Sequence, residues 1–102
     1  MKQIYFIIFF LFISFSYGQS AQGKGDIDGF TMYPNPVSTG KVYISTTNND
    51  AKEILIYDVL GTLVLKTTIL RKELNVSDLD AGVYVLRVFE KDKVATRKLI
   101  IK

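Results

Sequence analysis

Residues 29–102 of this chain predict a small all-β domain, an antiparallel β-sandwich. Three observations carry that expectation. Short segments rich in Val, Ile, Leu and Tyr alternate apolar with polar residues, the period-2 pattern of half-buried strands. Turn signals built on Gly, Pro, Asn and Asp recur at roughly 8–12-residue spacing, as they do between sandwich strands. No segment shows convincing helical periodicity.

The elements follow in order. Phe30–Tyr33 is a short strand stopped by Pro34-Asn35-Pro36. Each proline fixes its own φ and drives the preceding residue toward extended geometry, so this segment reads as a rigid elbow at a sheet edge, a turn that seals one end of the sandwich, with a receptor-contact elbow as the alternative. After the turn Ser38-Thr39-Gly40, Lys41–Thr46 sets Val42 and Ile44 against Lys41, Tyr43 and Ser45. Lys52–Tyr57 and Leu63–Ile69 form a hairpin across Asp58-Val59-Leu60-Gly61, where Gly61 supplies the positive φ of a tight connection. Glu73–Val76 is a short strand. In Asn75–Gly82 the Ser and Asp side chains bond nearby backbone and hold a compact turn. Val83–Glu90 is a long apolar strand, Glu90–Lys93 a charged turn, and Val94–Ile101 the last strand.

Arg87 shares a face with Val83, Val85 and Phe89, so the opposite set, Tyr84, Leu86 and Val88, is expected to face the core. In the last strand, Ala95, Leu99 and Ile101 share a face with Arg97, while Thr96 and Ile100 share one with Lys98 and Lys102. Alternation alone leaves open which of these faces inward. Tyr57 and Tyr84 are expected in the core, with a surface aromatic platform as the alternative.

Ahead of the domain, Lys2 and the unbroken apolar run Ile4–Ile13 precede the small, polar stretch Ser14–Gly18. Residues 1–18 read as a signal peptide cut between Gly18 and Gln19. The run is shorter than the roughly 20 apolar residues of a spanning helix. No Cys follows it, which excludes a cysteine-linked lipid anchor. Residues 19–28 read as a short polar linker. Taken as it stands, the chain places only this stretch between leader and domain.

Composition narrows the chemistry. The net charge of +3 becomes +2 once Lys2 leaves with the leader. That is too weak and too mixed to argue for nucleic acid. With no Cys, the domain folds without disulfides; with no His, the usual general base, the Ser-His and Cys-His arrangements and the commonest zinc ligand are all missing. A domain this small leaves little room for a deep pocket. Asp26-Ile27-Asp28-Gly29, with Asp78 and Asp80, lacks the full ligand pattern of a calcium loop. No catalytic residue, metal or cofactor is expected. Asn75-Val76-Ser77 is a formal glycosylation sequon to which no role is assigned.

Five segments together carry a family resemblance. They are Tyr33-Pro34-Asn35-Pro36; Ile56-Tyr57-Asp58-Val59-Leu60-Gly61; Leu74–Leu79; Ala81-Gly82-Val83-Tyr84-Val85-Leu86-Arg87-Val88; and Thr96-Arg97-Lys98-Leu99-Ile100-Ile101-Lys102. In order, spacing and position they resemble the type A C-terminal sorting domains of the type IX (Por) secretion system of Bacteroidetes. The resemblance implies an Ig-like sandwich of about seven strands. It implies a targeting role: a signal peptide delivers the protein to the periplasm, and the outer-membrane translocon recognises the folded domain. A sortase-like peptidase then removes it, the product being secreted or joined to the cell surface. The motif residues it marks, for recognition or fold, are Tyr33, Pro34, Asn35, Pro36, Tyr57, Asp58, Gly61, Leu79, Gly82, Tyr84, Lys98, Leu99, Ile101 and Lys102. Family members usually carry a large enzyme or adhesin ahead of the domain, and this chain departs from that pattern.

A second reading from a different class is a small secreted binding module, an adhesin or carbohydrate-binding sandwich using exposed aromatics such as Tyr43 or Phe89. A third route to a partner is edge-strand pairing, with the final strand as the expected open edge.

Overall fold

The computed structural model describes residues 25–102; the signal peptide and residues 19–24 of the expected linker lie outside them. Seven strands form: β1 (Thr31–Tyr33), β2 (Lys41–Ser45), β3 (Lys52–Tyr57), β4 (Leu63–Ile69), β5 (Glu73–Asn75), β6 (Gly82–Glu90) and β7 (Lys93–Ile101). They build two antiparallel sheets, one in the order β1-β2-β5 and the other β4-β3-β6-β7. Relative to a constant-type Ig domain, the fourth strand has moved to the sheet of the third, sixth and seventh.

The alternation seen in the sequence is what joins the sheets. Val42 and Ile44 of β2 and Leu74 of β5 meet Ile54 and Ile56 of β3, Tyr84, Leu86 and Val88 of β6, and Ala95, Leu99 and Ile101 of β7 in one core. Each buried Val, Ile or Leu contributes roughly 1.5–3 kcal/mol. The inner face expected for β6 is the observed one. For β7, Ala95, Leu99 and Ile101 point inward. Arg97, on the same face, is half-exposed at the flank, where its guanidinium lies 4.6 Å from the Phe30 ring centroid and 3.1 Å from Asp26 Oδ2.

The part of the expected linker that the structure describes packs onto the sandwich. Ile27 is buried in the core, the Thr47 N–H donates to the Asp28 carbonyl, and the Val94 N–H donates to the Gly25 carbonyl. Gly25–Asp28 therefore belongs to the packed unit, because one apolar side chain and two backbone carbonyls find partners there.

Where β6 ends, a charged cluster closes the sandwich. Lys52 and Glu90 are almost fully buried, their Nζ and Oε2 atoms 3.1 Å apart. Glu90 Oε2 also accepts from Thr46 Oγ1 at 2.7 Å and the Asp50 N–H at 2.9 Å, while Lys52 Nζ donates to the Asp50 carbonyl at 2.8 Å. Burial alone would raise the Glu90 pKa. Hydrogen bonds from Thr46, Lys52 and Asp50, with the Lys52 charge, outweigh it and hold the carboxyl below its ordinary value of 4.5. No buried side-chain nitrogen or oxygen among the described residues lacks a partner.

Candidate recognition surface

The segment after β1 sets the site. Tyr33–Pro34 and Asn35–Pro36 are both cis, and the chain between them runs along the outer edge of β7. There Asn35 acts like one residue of an added strand. Its side-chain Nδ2 donates to the Lys98 carbonyl at 2.8 Å, and its Oδ1 accepts from the Ile100 N–H at 2.9 Å. Val37 continues the same path with its backbone. Its N–H donates to the Ile100 carbonyl and its carbonyl accepts from the Lys102 N–H, both at 2.8 Å, in a parallel bridge to Ile101. The Val37 side chain is fully buried, so the strap is anchored in the core as well as along the edge.

This corrects the expectation that the final strand is an open edge. β7 is the last strand of its sheet, but its outward groups from the Lys98 carbonyl to the Lys102 N–H are held by Asn35 and Val37, and its Val94 N–H by Gly25, leaving the outward N–H groups of Thr96 and Lys98 between them. An edge that would otherwise template strand addition is covered by a loop. The elbow does seal the sandwich, and it does so on the last strand.

The opposite face of β7 stays open. Register places Leu63, Tyr57, Val85 and Lys98 in one transverse row across β4, β3, β6 and β7, with Val83 beside Ile100 in the neighbouring position. A β-bulge between Ile56 and Tyr57 brings Leu63 opposite Tyr57. Leu63, Val83 and Val85 are each at least 40% exposed. Tyr57 is therefore half-buried on the outer face and outside the core cluster, against the expectation. The reason is parity: Ile54 and Ile56 face inward, so the next residue faces out.

The β3–β4 turn extends this face. Asp58 Oδ1 accepts from the Leu60 and Thr62 N–H groups, both at 2.9 Å, and the backbone closes with Asp58 N–H to the Thr62 carbonyl and Gly61 N–H to the Asp58 carbonyl. Gly61 takes φ of +88°, which a residue with a Cβ disfavours. The turn is fixed by hydrogen bonds and yet holds Val59 and Leu60 72% and 86% exposed.

The remaining motif residues divide between fold and surface. Tyr84 is buried, with its hydroxyl donating to the Asp80 carbonyl at 2.6 Å. Leu99 and Ile101 lie in the core, and Leu79 packs against it. Gly82 opens β6. Pro34, Pro36, Lys98 and Lys102 are exposed. Tyr33 is 56% exposed and tilts against Tyr43 with ring centroids 5.7 Å apart, on the other sheet. Structure thus joins Pro34–Pro36 to Lys98–Lys102 in one place, with Tyr57, Asp58 and Gly61 close by across the sheet. Tyr33, Leu79, Gly82 and Tyr84 stand apart from the exposed row.

Val37, Val59, Leu60, Leu63 and Val85 were not singled out from the sequence. For Val59 and Leu60 the signal was present: two large apolar residues in a tight Asp–Gly turn have no core to enter. The Asp groups weighed for calcium are scattered. Asp26 Oδ1 accepts from the Ile27 N–H and its Oδ2 meets Arg97, and no group of three acidic side chains among the described residues is placed to hold a metal. Asn75 Oδ1, in the sequon, is taken up by the Ser77 N–H at 2.9 Å and Ser77 Oγ at 2.6 Å.

An all-β sandwich with a strapped final strand and an exposed apolar row has the build of a recognition domain. Comparison with known families makes that specific: residues 31–102 match the secretion system C-terminal sorting domain, and the chain belongs to this family. It carries the sorting signal of type IX secretion. Among solved structures, the fold is similar to part of PorZ, an essential bacterial surface component of the type IX secretion system of Porphyromonas gingivalis. The TM-score is 0.54 and the identity 22%, over 72% of this chain and 11% of PorZ. No curated protein matches this chain.

Proposed function

We propose that this domain is the handle by which the outer-membrane translocon of type IX secretion takes hold of the protein, and that it does no chemistry of its own. The protein is then secreted or displayed at the cell surface. In this reading the leader at residues 1–18 delivers the chain to the periplasm, and a sortase-like peptidase cuts ahead of the packed unit. Because Ile27 is part of the core, that cut falls before Gly25, in residues 19–24.

The observation that carries the reading is the joining of the two ends of the family motif. Asn35 and Val37 bind Lys98–Lys102 along its edge, 63 to 65 residues away in the case of Asn35. The strap occupies the main-chain edge from the Lys98 carbonyl to the Lys102 N–H. The partner reads side chains on the outer face of β7, and Lys98, exposed between buried Leu99 and half-buried Arg97, is the first of them.

The test is a passenger assay. A fluorescent protein is inserted between Gln19 and Ser20 of the full chain, in a Bacteroidetes host with type IX secretion. Medium, surface and periplasm are compared with and without Thr96–Lys102. Export that needs both the tail and the secretion system, with loss of the domain, supports the reading. An intact fusion retained in the periplasm of a host that exports its own cargo contradicts it and favours a binding module, for which the Tyr33–Tyr43 pair would be the place to look.

A further inference from the structure

The exposed large apolar side chains of this domain are not scattered. Of the eight that are most exposed, five (Val59, Leu60, Leu63, Val83 and Val85) lie together at one end of the outer face of the four-stranded sheet or on the turn that extends it. Half-buried Tyr57 sits in their middle, paired with both Leu63 and Val85. Contiguous exposed apolar surface of this kind marks a binding site more often than it marks chance. Asp58 strengthens the case, since its two side-chain hydrogen bonds fix a turn whose apolar residues touch no core. A turn held rigid in solvent spares a partner the entropy of ordering it.

Charge on the same face selects the occupant. Register puts Lys98 next to Val85, and Arg87 and Lys66 on either side of Leu55 in the adjacent row. Neither row holds an acid; Glu53, one row further on, lies 4.0 Å from Lys66 with both groups about half exposed, and the Asp58 carboxylate on the turn is taken up by the Leu60 and Thr62 N–H groups. Arg87 stays on the surface, over the Phe89 ring at 5.3 Å. The face is apolar in its centre with a cationic border. A second copy docked by two-fold symmetry would set this border against itself, and like charges brought together across an interface disfavour the pair.

We propose that this face docks onto a protein surface of complementary character, an apolar centre rimmed by carboxylates, and that Leu60, Leu63 and Val85 are its anchors while Lys98 and Arg87 set orientation and encounter rate. The proposal rests on the sorting reading and names the surface that the secretion machinery would grip. It also gives the strap a purpose: by covering the β7 edge it confines recognition to the side-chain face.

The experiment uses the passenger-bearing full chain described above. Val85→Glu and the pair Leu60→Ser/Leu63→Ser are expected to lower export by roughly tenfold or more, the loss of one anchoring contact. Lys98→Glu is expected to lower it several-fold, about what a border charge contributes through association rate. Lys72→Glu, exposed and outside these rows, is expected to export as the parent does. Thermal melts of the purified full chains accompany each variant, and Leu60→Ser, lying outside the strands, keeps the test readable if Val85→Glu melts early.

Parent-like export of Val85→Glu and of the Leu60/Leu63 pair overturns the proposal while leaving the sorting reading intact. Failure of the parent chain itself, beside exported host cargo, overturns the sorting reading and this proposal with it. Two binding measurements decide the occupant. Sedimentation showing a parent dimer that Val85→Glu makes monomeric would overturn it in favour of a second copy. Flotation with phosphatidylglycerol-rich vesicles, lost in the same variant, would overturn it in favour of a membrane surface.

Discussion

The two ends of β6 are closed by polar clusters of opposite design. At the Glu90 end, Lys52, Glu90, Thr46 and the Asp50 backbone satisfy one another out of contact with water. At the Gly82 end, exposed Asn35 and the backbone of buried Val37 satisfy main-chain groups of Lys98–Lys102 with neutral amide chemistry. The first cluster turns every group inward and leaves nothing for a partner. The second settles the main chain and leaves side chains free, and the apolar row and its cationic border lie on the same end of the sheet. One end serves stability and the other presentation, and that division can be broken one residue at a time.

The largest effect is expected at the buried end. Glu90→Ala strands the Lys52 ammonium in a site that is almost closed to water, which costs about 3–5 kcal/mol; urea unfolding measures it. The same cluster gives the parent its acid sensitivity. The Glu90 carboxyl is held below its ordinary value, so the unfolded state binds its proton first as pH falls. The stabilisation is complete above the unfolded pKa and is lost as pH drops through the folded one. Melting temperature measured against pH should be level near neutrality and fall on the acid side of 4.5. Glu90→Gln should flatten that fall.

At the presenting end, neighbouring residues separate fold from recognition. Leu99→Ala removes a fully buried side chain and should cost about 2–5 kcal/mol. Asn35→Ala removes two hydrogen bonds to an exposed edge, a loss of roughly 1–2 kcal/mol that leaves the core untouched. Lys98→Ala should shift stability by less than about 0.5 kcal/mol, as for a surface site, and still lower export. A Lys98→Ala variant that unfolds would erase the division between the two ends.

Much of the sandwich was legible beforehand. β3 and β4 have the bounds that alternation predicts, since a period of two is imposed by burial of one face and the turn residues leave few registers open. The inward set of β6 followed from Arg87. Tyr57 stands one residue past the inward Ile54 and Ile56, so alternation alone points it outward, against its expected place in the core. The buried ion pair had the same kind of signal: Lys52 shares the inner parity of β3 and Glu90 that of β6, and two inward charges of opposite sign on adjacent strands imply each other. The strap was not legible. Its bonds join Asn35 to backbone atoms more than 60 residues away, and backbone acceptors carry no sequence signature. The grouping of Leu60, Leu63 and Val85 depends likewise on register across three strands and a bulge.

Amide hydrogen exchange along β7 tests the strap most directly. In an antiparallel pair successive residues point their backbone groups alternately toward and away from the partner. The N–H groups of Thr96, Lys98, Ile100 and Lys102 therefore all face away from β6. The strap predicts slow exchange at Ile100 and Lys102, whose hydrogens are held by Asn35 and Val37, and fast exchange at Thr96 and Lys98 in the same strand. Asn35→Ala should release Ile100 first. Equal, rapid exchange at all four positions in the parent chain would mean that the β7 edge is open, and the account of a covered edge with a presented face would be wrong.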